Sequence, residues 1–164
     1  MQLQNIIREI EQNRVRLTDT LIAFVKTDTV LFAFDKQCAD YFSPFAKAAN
    51  TVLNTVFTVS MGLEIAESNL KQDGHMQVYL EKLPIWKFAL LYLAAVQGRS
   101  VLLGVLFAEG KVNVDEFFKT AFYEELYQQG KWGTTAETEK KYELIKTELS
   151  ELEQLRDEKS LFEN

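Results

Sequence analysis

Along the first two dozen residues the apolar positions Leu3, Ile7, Ile10, Leu17, Leu21 and Phe24 recur at steps of three, four or seven. That spacing marks one face of a helix and predicts one from Gln2 to about Val25. Arg14 and Arg16 interrupt the face, and Lys26-Thr27-Asp28-Thr29 ends it with turn-forming side chains. Val30 to Phe34 is a short apolar run rich in β-formers, which predicts a short strand or an extended buried piece. Asp35 is placed to N-cap a helix reaching about Phe42. Pro44 suits a fresh helix start, running to about Asn54. Thr55 to Ser60 alternates and is β-branched, predicting a second strand ended near Gly62.

The second half reads as helix throughout. Asp73-Gly74 is suited to cap a helix carrying Met76, Tyr79, Leu80 and Leu83. Pro84 opens a strongly apolar helix, Gly98 is its expected break or kink, and Gly110 its C-terminal cap. Asn113 with Glu116 spells a capping box, followed by a helix with Phe117, Phe118, Ala121, Phe122 and Leu126. Gly130-Lys131-Trp132-Gly133 closes that helix. Thr134 with Glu137 spells a second capping box, and the last helix is expected from about Thr135 to Ser160. Its narrow apolar line is Tyr142, Ile145, Leu149, Leu152 and Leu155. The expected class is mainly α: one multi-helix domain over residues 1–164, with a minor short β element and a long charged C-terminal helix.

The run from Phe88 to Ala108 is the most membrane-like, but its centre holds Gln97, Gly98, Arg99 and Ser100. A central arginine costs roughly 2.5–3.5 kcal/mol on insertion scales. A helix or broken helix pair buried inside the domain is the expectation, with no stable membrane insertion; a membrane-associated hairpin is the competing one. The N-terminus lacks an apolar signal region, and Glu9 and Glu11 argue against a transit peptide.

Composition removes several chemistries. The net charge of −6 disfavours nucleic acid, which needs clustered Lys and Arg. That charge is uneven: residues 1–110 carry a net −1 and residues 111–164 a net −5. The acidic third is either a solvated helix surface or a field that steers a basic partner. A single cysteine, Cys38, and a single histidine, His75, leave no disulfide framework, no Cys or His metal cluster and no obvious nucleophile–base pair. No phosphate loop is present. The expectation is a protein with no enzyme activity, no metal and no cofactor. Twelve Phe, six Tyr and two Trp are a heavy aromatic load, serving either a Phe-rich core or a surface that holds an apolar partner.

The stretch Tyr123-Glu124-Glu125-Leu126-Tyr127-Gln128-Gln129-Gly130-Lys131-Trp132-Gly133 is the most distinctive in the chain. It resembles the C-terminal signature of the assembly chaperones that escort the α subunit of the F-type ATP synthase catalytic head. Glu124, Tyr127, Gln128, Trp132 and Gly133 match at the family's spacing. Lys26-Thr27-Asp28-Thr29 before Val30-Leu31-Phe32 resembles the family's Thr-Asp-Thr stretch before a short strand. Phe42-Ser43-Pro44, with Gln37 upstream, stands where the family usually has Trp-Asp-Pro. Gly98-Arg99-Ser100 through Glu109-Gly110 is similar to its Gly-Ser and Glu-Gly around an apolar helix. The likeness covers roughly residues 14–160. Phe42, Ser43 and the segment Ala136-Glu137-Thr138-Glu139 depart from the pattern. Members also carry an N-terminal β-rich domain, and this chain is expected to correspond to the helical part alone.

The resemblance implies a non-enzymatic chaperone whose partner is the unassembled ATP synthase α subunit, kept from aggregating until it pairs with β. It implies action in the bacterial cytoplasm or, alternatively, the mitochondrial matrix. A helical adaptor with a different partner is the competing reading. By resemblance Glu124 meets a basic or polar group on the client. Gln128, one turn on, hydrogen-bonds backbone internally or in the client. Tyr127 joins them as a client contact. Trp132 either anchors the turn before the last helix or touches the client, and Asp28 with Thr29 forms a turn and cap or touches the client. Gly133 and Pro44 are expected to be structural. Arg99 is expected to pair with a carboxylate.

Overall fold

A computed structural model describes residues 3–161. The predicted helix start at Gln2 lies outside them. Among the described residues the chain forms α1 (Leu3–Gln12), α2 (Arg14–Phe24), β1 (Phe32–Ala33), α3 (Lys36–Leu53), β2 (Ser60–Met61) and α4 (Asp73–Lys82). There follow α5 (Ile85–Gly98), α6 (Val101–Ala108), α7 (Val114–Ala121), α8 (Tyr123–Trp132) and α9 (Ala136–Ser160). The mainly helical class, the minor β element and the long last helix are all present.

The centre is the apolar run that resembled a membrane span. It folds as the broken pair α5–α6, with every residue of α6 buried. At Gly104 a Cβ would come within 2.8 Å of the Leu91 carbonyl, so only glycine lets α6 lie this close to α5. No helix among the described residues is long and apolar enough to cross a membrane. The break falls one residue after its expected place. Arg99, not Gly98, takes the left-handed conformation, with φ 53°. Gly98 is glycine for packing: a Cβ there would stand 2.6 Å from the Phe117 ring. Gly110 ends α6 as expected, at φ 73°, with its own N–H on Phe107 and that of Lys111 on the Leu106 carbonyl, a Schellman arrangement.

Two arginines seal helix ends inside this core. Arg14 donates to the carbonyls of Leu80 and Leu83 at the end of α4 and lies over the Phe88 ring. Arg156 donates to the carbonyls of Phe107 and Val112 and lies over Phe107. Each cation meets the negative end of a helix and satisfies its orphan carbonyls. That accounts for an arginine on the apolar face of the first segment. In α9 it places buried Arg156 on the seam where Leu155 was expected; Leu155 is half-buried.

Other local expectations are corrected. The first helix divides at Asn13 into α1 and α2. Val30 and Leu31 form a 3₁₀ turn, and only Phe32–Ala33 is strand, paired parallel with Ser60–Met61. Pro44 opens no new helix. α3 runs unbroken through it, because the buried stripe Cys38, Phe42, Ala46, Ala49 and Leu53 continues on both sides. Pro44 faces solvent, where water can take up the carbonyl it leaves unpaired. The run after α3 is irregular, with no ladder before Ser60. Its backbone is held by side-chain amides instead: Asn50 on Phe57, Asn69 on Thr58 and Gln72 on Val56. This occupies the Gln72 side chain, so it does not cap α4, and Asp73 is the first residue of α4 rather than its cap. The helix expected over Phe117–Leu126 breaks at Phe122 into α7 and α8. Thr135, not Thr134, caps α9, accepting from the Thr138 N–H. Asp35 and the Asn113–Glu116 box cap their helices as expected.

Candidate functional site

Three of the four stretches that carried the resemblance, 26–29, 98–100 and 123–133, are far apart in sequence and meet in space around the α5–α6 break. Asp28 supplies the inner layer. It has no exposed surface. Its Oδ1 accepts from the Val30 N–H at 2.9 Å and the Ser100 hydroxyl at 2.7 Å, and its Oδ2 accepts from the Leu102 N–H at 2.9 Å. One carboxylate thus caps both the 3₁₀ turn after α2 and the first turn of α6. Ser100 passes the cap on by accepting from the Leu103 N–H. Burial pushes the Asp28 carboxyl up to about 6, against the opposing pull of Leu102, Ser100 and Val30. Asp28 is therefore a turn and cap, and a side chain without exposed surface touches no client in this conformation. Thr29 locks the same joint: its N–H and hydroxyl both donate to the Arg99 carbonyl.

Arg99 connects this layer to the surface. Its left-handed backbone costs roughly 1–2 kcal/mol, at a position helices usually give to glycine. Its guanidinium pairs with Glu125 at 2.8 Å, the carboxylate pairing expected of it. The other Glu125 oxygen accepts from the Tyr142 hydroxyl of α9 at 2.8 Å, and Tyr142 accepts in turn from Gln129 at 2.7 Å. Partial burial pulls the Glu125 carboxyl up, but the Tyr142 and Arg99 bonds outweigh it and leave it below its ordinary value.

The outer layer is α8 itself. None of its residues is fully buried. Tyr123, Glu125, Leu126 and Gln129 face inward, half-buried. Glu124, Tyr127, Gln128, Lys131 and Trp132 are exposed at i, i+3, i+4, i+7 and i+8, one face of the helix. Glu124 is without an ion pair or hydrogen bond among the described residues. With Gln128, Thr138 and Lys141 it lines an open groove between α8 and α9. Trp132 is 82% exposed, so it anchors no turn. Gly133 turns the chain at φ 83°, ψ −178°, a conformation that only glycine adopts without strain.

Aromatic rings extend the face toward α3. Tyr127 lies 5.3 Å from Phe34, and Tyr123 stacks on Tyr41 at 4.6 Å, which in turn meets Phe45. Phe34 and Tyr127 are each about two-fifths exposed. The Lys131 ammonium sits over the Tyr127 ring at 4.7 Å. The aromatic load of the sequence therefore serves both of its expected uses. Phe88, Phe107 and Phe117 fill the core, while Phe34 and Tyr127 with their neighbours form a surface ledge beside Glu124. Phe34, Tyr41 and Lys131 were not singled out from the sequence; only the heavy aromatic load hinted at the rings. Cys38 is buried, and burial raises its thiol, the opposite of an activated nucleophile. Among the described residues no cluster of three or more His, Cys, Asp or Glu could hold a metal ion. Pro44 lies apart from this face in role, within α3.

A scan of protein-family models found no match to the sequence, and a search of curated proteins found none either. Solved structures do match the fold. Atp12 from Paracoccus denitrificans superposes with a TM-score of 0.81 at 15% identity, over 93% of this chain and 68% of that one. A point mutant of the same protein gives 0.83 over the same shares. A candidate chaperone from Agrobacterium tumefaciens gives 0.73 at 22% identity, over 90% of this chain and 58% of that one. The chain thus has the fold seen in Atp12.

Proposed function

We propose that this protein is a non-enzymatic assembly chaperone that binds the unassembled α subunit of the F-type ATP synthase head and shields it until it pairs with β. The observation that carries this reading is the fold of Atp12 running through 93% of the chain, with the Glu124…Gln128…Trp132 signature on an exposed helix face within it. The chemistry suits the task. An unassembled subunit exposes an apolar interface that invites aggregation. The α8 face offers aromatic area on Phe34, Tyr127 and Trp132, and an acid, Glu124, that no ion pair among the described residues consumes. Shielding needs no nucleophile, metal or cofactor. The bacterial cytoplasm is the proposed site of action.

The test is co-expression of the α subunit with the wild-type protein or with Glu124→Lys. Soluble α subunit should be recovered with the wild type and at least about tenfold less with the variant, corresponding to the roughly 1.4 kcal/mol or more carried by a central contact. Equal recovery with both proteins folded overturns the role of Glu124. No gain over an empty vector, even with the wild type, overturns the function.

A further inference from the structure

α8 has an unusual attachment. It buries none of its residues completely, yet it must present five side chains in one orientation. Apolar packing alone leaves such a helix free to roll, since half-buried contacts are non-directional. Among the described residues the hydrogen bonds from α8 side chains to the rest of the fold join end to end. Gln129 donates to Tyr142, Tyr142 to one oxygen of Glu125, and Arg99 to the other. Glu125 and Gln129 are one turn apart on the inner face of α8, so the two contacts fix both its rotation and its distance from α9. At the far end Arg99 is held by its own carbonyl, which takes two bonds from Thr29. Thr29 follows Asp28, whose carboxylate is tied to α6. The buried joint therefore reaches the outer helix through one residue. The left-handed backbone at Arg99 fits this role: a glycine would relieve the strain but could not make the link.

We infer that Arg99, Glu125, Tyr142 and Gln129 form a positioning chain that orients α8, acting on the client through Glu124, Tyr127, Gln128 and Trp132 rather than by touching it. This rests on the reading of α8 as the client-contact helix. The Tyr142 ring belongs to the core, packed on Phe118 and Phe122, but its hydroxyl and the other three side chains form a latch outside it. Cutting the latch releases α8 while α5, α6 and α9 keep their packing.

Amide hydrogen exchange on the free, full-length protein tests the latch without any client. Arg99→Ala, Glu125→Gln and Tyr142→Phe should each speed exchange of the α8 amides from Leu126 to Gly133 by about threefold to fivefold, with α5 and α6 amides unchanged. Arg99→Lys, which keeps the cation, should restore most of the protection. Recovery of soluble α subunit should fall at least about fivefold with the first three variants and stay near wild type with Arg99→Lys. Unchanged α8 exchange in all three variants overturns the inference. So does equal acceleration across α5, α6 and α8, which would mark a general loss of stability. A wild-type protein that recovers no α subunit defeats the chaperone reading instead, and the exchange data still decide the latch.

Discussion

Asp28 and Glu124 are both acids in stretches that resemble one family, and they live under opposite conditions. Asp28 is sealed at the α5–α6 joint with three donors on its two oxygens. Glu124 stands in solvent with no ion pair or hydrogen bond among the described residues. A buried carboxylate must have its bonds supplied internally, because an unmet buried charge is costly. An exposed one is free to spend its bonds on another molecule. The joint is thus built for stability and the α8 face for contact, with Glu125 between them, half-buried and with a partner on each oxygen. This division predicts that substitutions at the joint will change folding, and substitutions on the face will change recovery of a partner.

The largest effect should come from Gly104→Val. A side chain there meets the Leu91 backbone, which cannot step aside, so a loss of about 3 kcal/mol or more is expected in chemical denaturation. Asp28→Ala should follow at roughly 2 kcal/mol, since it orphans the donors of Val30, Ser100 and Leu102 while relieving a buried charge. Its pH dependence is the sharper test. The folded carboxyl holds its proton up to about 6, above its unfolded value near 3.8. The folded state therefore binds more protons between those values, and Asp28's contribution is full below pH 3.8 and lost as pH rises through about 6. Wild type minus Asp28→Asn, measured as unfolding free energy against pH, should show that fall, of order 3 kcal/mol. A flat difference curve would mean that Asp28 titrates normally and the joint is wet.

Smaller effects belong to the link and the face. Glu125→Gln should cost about 1 kcal/mol or less at neutral pH, because its pair with Arg99 is largely exposed. The Glu125 carboxyl is lowered on folding, so its contribution is present above the unfolded carboxylate range and lost as pH falls through the folded value. That is the opposite sense to Asp28, and comparing Glu125→Gln with Asp28→Asn across pH 3–7 separates the two by sign. Trp132→Ala should leave the unfolding free energy within about 0.5 kcal/mol, since 82% of the ring is already in water. A drop of 2 kcal/mol would return Trp132 to the anchoring role its exposure denies.

What the chain could be read for in advance follows from how local each signal is. The caps at Asp35 and Asn113 and the glycine stop at Gly110 were legible, because each depends on a few adjacent residues and one hydrogen-bond geometry. The residues of the exposed α8 face were marked by the family resemblance, and their helical spacing accounts for their sharing one face. Pro44 misled, because a local rule about proline lost to a buried stripe that runs from Cys38 to Leu53 on both sides of it. The Thr55–Ser60 run misled in the other direction. Its β pattern is real, but Asn50, Asn69 and Gln72 took the bonds that a neighbouring strand would have made.

By itself the sequence determined the helical class, which depends on composition and short-range periodicity; the residues of the outer face were marked by the family resemblance of 123–133. Only the tertiary structure decided that Asp28 lies inside, that Trp132 lies outside, and that Arg99 joins the two layers. Those assignments depend on contacts between residues about 70 positions apart in the chain, such as Asp28 with Ser100 and Thr29 with Arg99. Periodicity names the face a residue occupies; which faces come together is settled by packing the whole chain, and no local pattern encodes it.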